Sequence, residues 1–166
     1  MISLDYARRL ARYNVWMNDK VYAAAATLDE AARHAERGAY FGSIHGTLLH
    51  LVIADSAWLA RFRGLPLPES LPDRAALADF AALQAKRIAL DAELSAFVDT
   101  LKADWLAGDF PFTTMTGLSL AQPAWVCVTH LFNHQTHHRG QLTTLLTQLG
   151  LDVGVTDFVA MPDDAS

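Results

Sequence analysis

"AQPAWVCVTHLFNHQTHHRGQLTTLLTQLG", residues 121–150, is a run of helical length, patterned for burial, with four histidines within nine positions: His130, His134, His137 and His138. Its start is marked by Ser119 and Gln122 in capping-box spacing and by Pro123, which suits a first helical turn. Gly150 marks its end. The run predicts a long helix, the last of the chain.

Three more helices are predicted upstream. In "SLDYARRLARYNVWMNDKVYAAAATL" (3–28), Leu4, Ala7, Leu10, Ala11, Val15 and Val21 recur at helical spacing, with Ser3 as N-cap. "DEAARHAERGAY" (29–40) reads as a connection with a helical turn. "GSIHGTLLHLVIADSAWLARFRG" (42–64) is the second helix, capped by Ser43, with Leu48, Leu51, Val52, Trp58, Leu59 and Phe62 as its apolar stripe. Gly64, Pro66, Pro68 and Pro72 then interrupt the chain. Ser70 and Asp73 have capping-box spacing and predict a third helix from Leu71 to Leu106. "AGDFPFTTMTGLSLAQ" (107–122) reads as a short hairpin turning at Thr116-Gly117. The tail from Leu151 reads as irregular. The expected fold is an all-α four-helix bundle with a small β-hairpin before the last helix, one domain over residues 1–166.

Composition excludes several function classes. The 13 basic and 18 acidic residues give a net charge of −5, with no polybasic run, which argues against nucleic acid as a partner. No apolar run approaches the ~20 residues of a membrane helix. The opening "MISLDYARRL" places an acid and two arginines where a secretory signal needs an apolar stretch. Cys127 is the single cysteine, in the apolar context "AWVCVTH", and is expected to be an inert core thiol. No internal disulfide can form, which points to a reducing, cytoplasmic compartment.

His134 and His138, four apart, share one face of the last helix and can chelate a divalent cation. His130 lies one turn earlier on the same stripe. From His130 to His138 the helix rises ~12 Å, so the spacing permits 130/134 or 134/138 as the pair, not all three. His137 is turned by roughly 100° and is expected to face elsewhere. A third ligand has to come from another helix. His50, mid-helix, suits a site inside the bundle, whereas His45, near the helix start, is expected to be solvated or capping. Neither His-Glu-x-x-His nor Glu-x-x-His occurs, and no Cys-x-x-Cys-His, Gly-rich phosphate loop or Gly-x-Ser-x-Gly elbow is present. A three-histidine site without an obligatory carboxylate remains.

"HLFNHQTHHRGQLTTLLTQLG" resembles the last-helix signature of the DinB-like proteins, a superfamily of metal-binding four-helix bundles that includes the YfiT-type bacillithiol S-transferases. "LARYNVWMNDKV" resembles the family's first helix, and "YFGSIHGTLLHLVIADSAWLARFRG" its second. The resemblance covers nearly the whole chain. It implies up-down-down-up connectivity and, commonly, a homodimer. It also implies His50, His134 and His138 as metal ligands, which selects the 134/138 pair.

The expected function is therefore a metal-dependent enzyme, a thiol S-transferase on a divalent ion such as zinc or nickel, acting on a small-molecule thiol. A non-catalytic metal-binding stress-response protein and a metal-dependent hydrolase would use the same three histidines. Asp55 and Gln141 are candidate partners of ligand or substrate. Arg139 is a candidate for an anionic thiol or for a carboxylate on a neighbouring helix, and Gly140 for close helix approach. Tyr13, Asn14, Trp16 and Trp58 are assigned to the core, with Asn14 as a polar partner for the aromatic groups.

Overall fold

The computed structural model describes residues 1–67 and 69–163; Pro68 and the last three residues of the tail lie outside the described residues. The elements are α1 (Leu4–Ala26), α2 (Glu30–His34), α3 (Ile44–Phe62), α4 (Phe80–Thr100), α5 (Ala103–Ala107), β1 (Asp109–Thr113), β2 (Ser119–Pro123) and α6 (Ala124–Thr147). A 3-10 turn, Phe158–Ala160, follows. The fold is an all-α bundle of α1, α3, α4 and α6. Helices α1 and α3 each pack on both α4 and α6, which places α1 and α3 on one diagonal. Arg8 facing Asp99 makes α1 and α4 antiparallel, and Asp55 facing Arg87 with Phe62 facing Phe97 makes α3 and α4 parallel. Connectivity is thus up-down-down-up.

The expected caps at Ser3 and Ser43 form: their hydroxyls accept the Tyr6 and Gly46 amides at 3.1 and 3.0 Å. The third bundle helix starts later than Leu71. Residues 74–78 form tight turns, and the carboxylate of Asp79 accepts the Ala82 amide at 2.8 Å. Both Ser70 and Asp79 are cap residue types; the one that begins the helix is followed by a face that packs, with Leu83, Leu90 and Leu94 buried. The helix also stops earlier than Leu106. Leu101 is extended, and the chain restarts as α5. The break lets Leu101 and Leu106 both enter the core and sets Trp105 against Phe62 and Phe110.

Before α6, Ser119–Pro123 pairs with β1 as an antiparallel strand, so the Ser119/Gln122 spacing is strand and not capping box. Gly117, at φ +84°, closes the turn in a conformation that a side chain would strain. Phe112 of β1 packs on Trp58, and Phe110 on Phe62, so the hairpin seals the end of the bundle opposite the loop before α3. The tail is not wholly irregular. Phe158 and Met161 pack on Tyr13, Trp16 and Met17, and the Tyr13 hydroxyl donates to the Thr156 carbonyl at 2.5 Å. Tyr13 thus finds its polar partner in the tail, not in Asn14.

Inside the bundle the core is not wholly apolar. Arg87 donates to Asp55 at 2.8 Å and stands 2.8 Å from Asp91. Asp91 accepts from Asn14 at 2.9 Å and from Asn18 at 3.1 Å. Arg139 donates to Asn14 and, at 3.0 Å, to Gln135, and Gln135 donates to Asp55. The result is a closed ring with members from all four bundle helices, all buried. Two arginines balance two aspartates. Burial alone would lower the Arg87 pKa, but Asp91 and Asp55 outweigh it and raise it, so this guanidinium stays charged.

Candidate metal centre

The ring fixes how α6 is rolled against α3, and the roll builds the site. Gln135 and Arg139 point into the core; His134 and His138, each one residue earlier, are turned by about 100° to face α3. There they meet His50. His134 Nε2 lies 3.2 Å from His50 Nε2 and 3.1 Å from His138 Nε2. One ring nitrogen from each lies within 4.8 Å of the other two. Nitrogens that surround one zinc ion at ~2.0–2.1 Å stand ~3.3 Å apart, so this trio needs only small side-chain adjustments to take one. The three residues expected as ligands are therefore brought together, while His130 is not among them.

Electrostatics favour the ligating form. Burial, with the adjacent imidazoles adding to it, pushes His50 and His134 down to about 4, and burial lowers His138 as well. All three rings are neutral at pH 7, with lone pairs free for a cation. His138 Nδ1 stands 2.7 Å from Gln141 Oε1, an oxygen that can only accept; the Nδ1 proton therefore points at Gln141 and leaves Nε2 open toward the other histidines.

Phe41 completes the site, and the sequence did not single it out. Its ring stacks on His50 at 3.7 Å between centroids and 17° between planes, and meets His138 edge-on at 5.4 Å. The loop that carries it is tightly built. Gly42 sits at φ +76°, and its amide donates to the Ala39 carbonyl at 2.8 Å. A Cβ on Gly46 would collide with the Phe41 carbonyl oxygen, so Gly46 lets the loop lie against the first turn of α3. An aromatic residue followed by glycines one and five positions later, across the start of a helix, was the available signal.

The histidines open into a cavity of about 330 Å³ walled by Tyr40, Phe41, His137 and Gln141. His137 thus lines the same cavity despite its rotation, because the cavity opens on the solvent side of α6. His45 is neither solvated nor a cap: it is buried, with Nε2 3.0 Å from the Leu77 carbonyl. Asp55 is neither a solvated acid nor in contact with the histidines, being held in the core ring by Arg87. Arg139 occupies the same ring, which settles it among neighbouring side chains and away from the cavity. Cys127 is buried, and burial raises its pKa, as an inert thiol requires. A larger cavity lies beside the hairpin, but among the described residues no histidine or carboxylate lines it, so it offers no ligand set for a cation.

The DinB family profile matches residues 2–165. The chain belongs to the DinB family. A curated relative, the protein DinB of Bacillus subtilis (strain 168), is 25% identical over 160 residues, covering 93% of this chain and 92% of that protein. Family and histidine trio together describe a DinB-like protein with a possible three-histidine metal site. Among the described residues no helix is long and apolar enough to cross a membrane.

Proposed function

We propose that this DinB-family protein is a metal-dependent thiol S-transferase, with His50, His134 and His138 as ligands of a divalent ion, zinc or nickel. The observation that supports it most is the convergence of three neutral Nε2 atoms on the floor of an open cavity. Three ligands leave a coordination position for an exogenous group, whereas a structural site is closed by four. The bound ion would supply Lewis acidity, which favours a thiolate over a thiol at neutral pH. The protein's own residues do the rest. Gln141 orients His138, Phe41 holds His50 and screens two rings from water, and Tyr40 and His137 form the mouth through which a small thiol and its electrophile enter. The thiol proton leaves to solvent, the sulfur bonds to the electrophilic carbon, and the displaced group departs with its electron pair. The lone buried cysteine suits a reducing, cytoplasmic setting, and the family resemblance favours a homodimer.

The test is elemental analysis of untagged protein, then a screen of low-molecular-weight thiols with 1-chloro-2,4-dinitrobenzene, comparing metal-loaded and metal-free protein. Metal-dependent thioether formation is the expected result. Stoichiometric metal without transfer for any thiol would leave a binding protein, and ester cleavage by the loaded form instead would make it a hydrolase.

Two further outcomes follow from the geometry. Gln141→Leu frees the His138 ring to rotate and to expose the wrong nitrogen, so zinc affinity should fall by ~10–100-fold in a competition assay. Gln141→Glu, which keeps an acceptor there, should retain it. Chelation should lower the melting temperature by some degrees while helical circular dichroism at 25 °C persists, because the core forms without metal contacts. Loss of helix on chelation would contradict this.

A further inference from the structure

The larger cavity, about 770 Å³, lies between the end of α3, the segment that follows it and the hairpin. Its walls are mostly apolar, with Leu65, Pro66, Leu67, Pro111, Phe112 and Met115 contributing. Among the described residues, the one charged side chain that lines them is that of Arg61. Its Nε donates to the Thr113 carbonyl at 3.0 Å, and its guanidinium lies over the Trp58 ring at 5.0 Å. These two contacts hold the plane of the fork and leave the paired terminal nitrogens for another acceptor. Among the described residues no carboxylate forms an ion pair with Arg61, although the chain carries 18 acidic residues against 13 basic ones. Its neighbour Arg63, by contrast, is paired with Glu93 at 2.6 Å. Burial lowers the Arg61 pKa, the mark of a cation partly stripped of water without compensation.

A fixed, half-buried guanidinium at the edge of an apolar cleft is the recognition geometry for a planar anion with an apolar body. We propose that this cleft binds a small organic carboxylate, its carboxylate forked on Arg61 and its apolar part against Phe112, Pro111 and Leu65. The site is separate from the histidine cavity. Arg61 follows His50 by eleven residues on α3, ~16 Å along the helix at 1.5 Å per residue. The proposal therefore does not depend on metal binding.

The test is a ¹H–¹⁵N NMR titration of the full chain with octanoate and with octanamide, which has the same tail and no charge. Octanoate should shift the Arg61 Nε–H and the amides of Gly64, Thr113 and Gly117 saturably, at about tenfold lower concentration or less than octanamide needs. Arg61→Met should abolish that preference, and Arg61→Lys, which keeps a charge but not the fork, should retain only part of it. If Arg61→Met disturbs the hairpin amides before ligand is added, the Lys variant decides. Equal binding of both probes, shifts clustered elsewhere, or an octanoate preference undiminished in Arg61→Lys would overturn the proposal.

Discussion

Arg87→Met is expected to cost about 3–5 kcal/mol of folding stability, the range for removing one partner of a buried ion pair. The substitution is close in volume, so the loss is of charge compensation, not of packing. Asp55 and Asp91 would remain buried with one of the ring's two cations gone; Arg139 reaches them only through Asn14 and Gln135, and Asn14, Asn18 and Gln135 offer them neutral donors. For a chain of this length, with each kcal/mol shifting the midpoint by ~2–4 °C, the melting temperature should fall by between about 6 and 20 °C. Arg63→Met provides the contrast. Arg63 pairs with Glu93 on the surface, both side chains 39% exposed, so its loss should cost less than ~1 kcal/mol. The deficit of Arg87→Met should also depend on pH, with a definite sign. Burial already holds the Asp55 carboxyl up at about 6 although Arg87 opposes it, and without the guanidinium it rises further above its unfolded value. The folded state then binds more protons than the unfolded one, and stability falls as pH rises. The gap to wild type should therefore be narrower at pH 5 than at pH 8. A loss under 1 kcal/mol in urea titrations would mean that the ring is no more than a surface-like pair.

That ring also shows where sequence reading stopped. The bundle helices were legible because apolar residues recur at three and four, and Ser3 and Ser43 precede them as caps. The hairpin was legible from Thr116-Gly117 between apolar runs. The start of α4 was not, because Ser70 and Asp79 are both competent caps and only packing chooses between them. Arg87 and Asp91 were passed over because charges four apart on a helix ordinarily face water. Their neighbours held the contrary signal: Leu83, Arg87, Leu90 and Leu94 are spaced four, three and four, so the arginine lies on the buried stripe. Ala11, Asn14, Asn18 and Val21 do the same on α1, and Leu51, Asp55 and Leu59 on α3. Polar residues in phase with an apolar stripe on several helices point to one shared core network. Within the candidate site, spacing left 130/134 and 134/138 both open and the mid-helix position of His50 favoured it over His45, while the choice against His130 came from family resemblance. Phe41 was not legible, since a stacked ring outside any helix leaves no periodic trace.

His138→Ala should abolish stoichiometric zinc binding, and His130→Ala should leave it nearly intact. Spacing alone allows either 130/134 or 134/138 to chelate, because each pair is one helical turn apart. The geometry separates them. His134 and His138 bring their Nε2 atoms to 3.1 Å, and His50 Nε2 stands 3.2 Å from the same atom of His134. His130 instead leans on Trp58, with its ring centroid 5.8 Å from that of His134. It can shape the surface beside the site but does not share its centre. Removing a direct ligand from three leaves two imidazoles, too few to hold the ion against solvent water at micromolar concentration. A neighbouring residue outside the ligand set costs at most ~10–100-fold. Metal content after dialysis, with circular dichroism to show that both variants fold, reads the difference. Circular dichroism should be unchanged in both, because neither imidazole belongs to the ring that holds the bundle. Zinc lost from His130→Ala and retained by His138→Ala would mean that α6 presents a different face to α3 in the metal-bound protein.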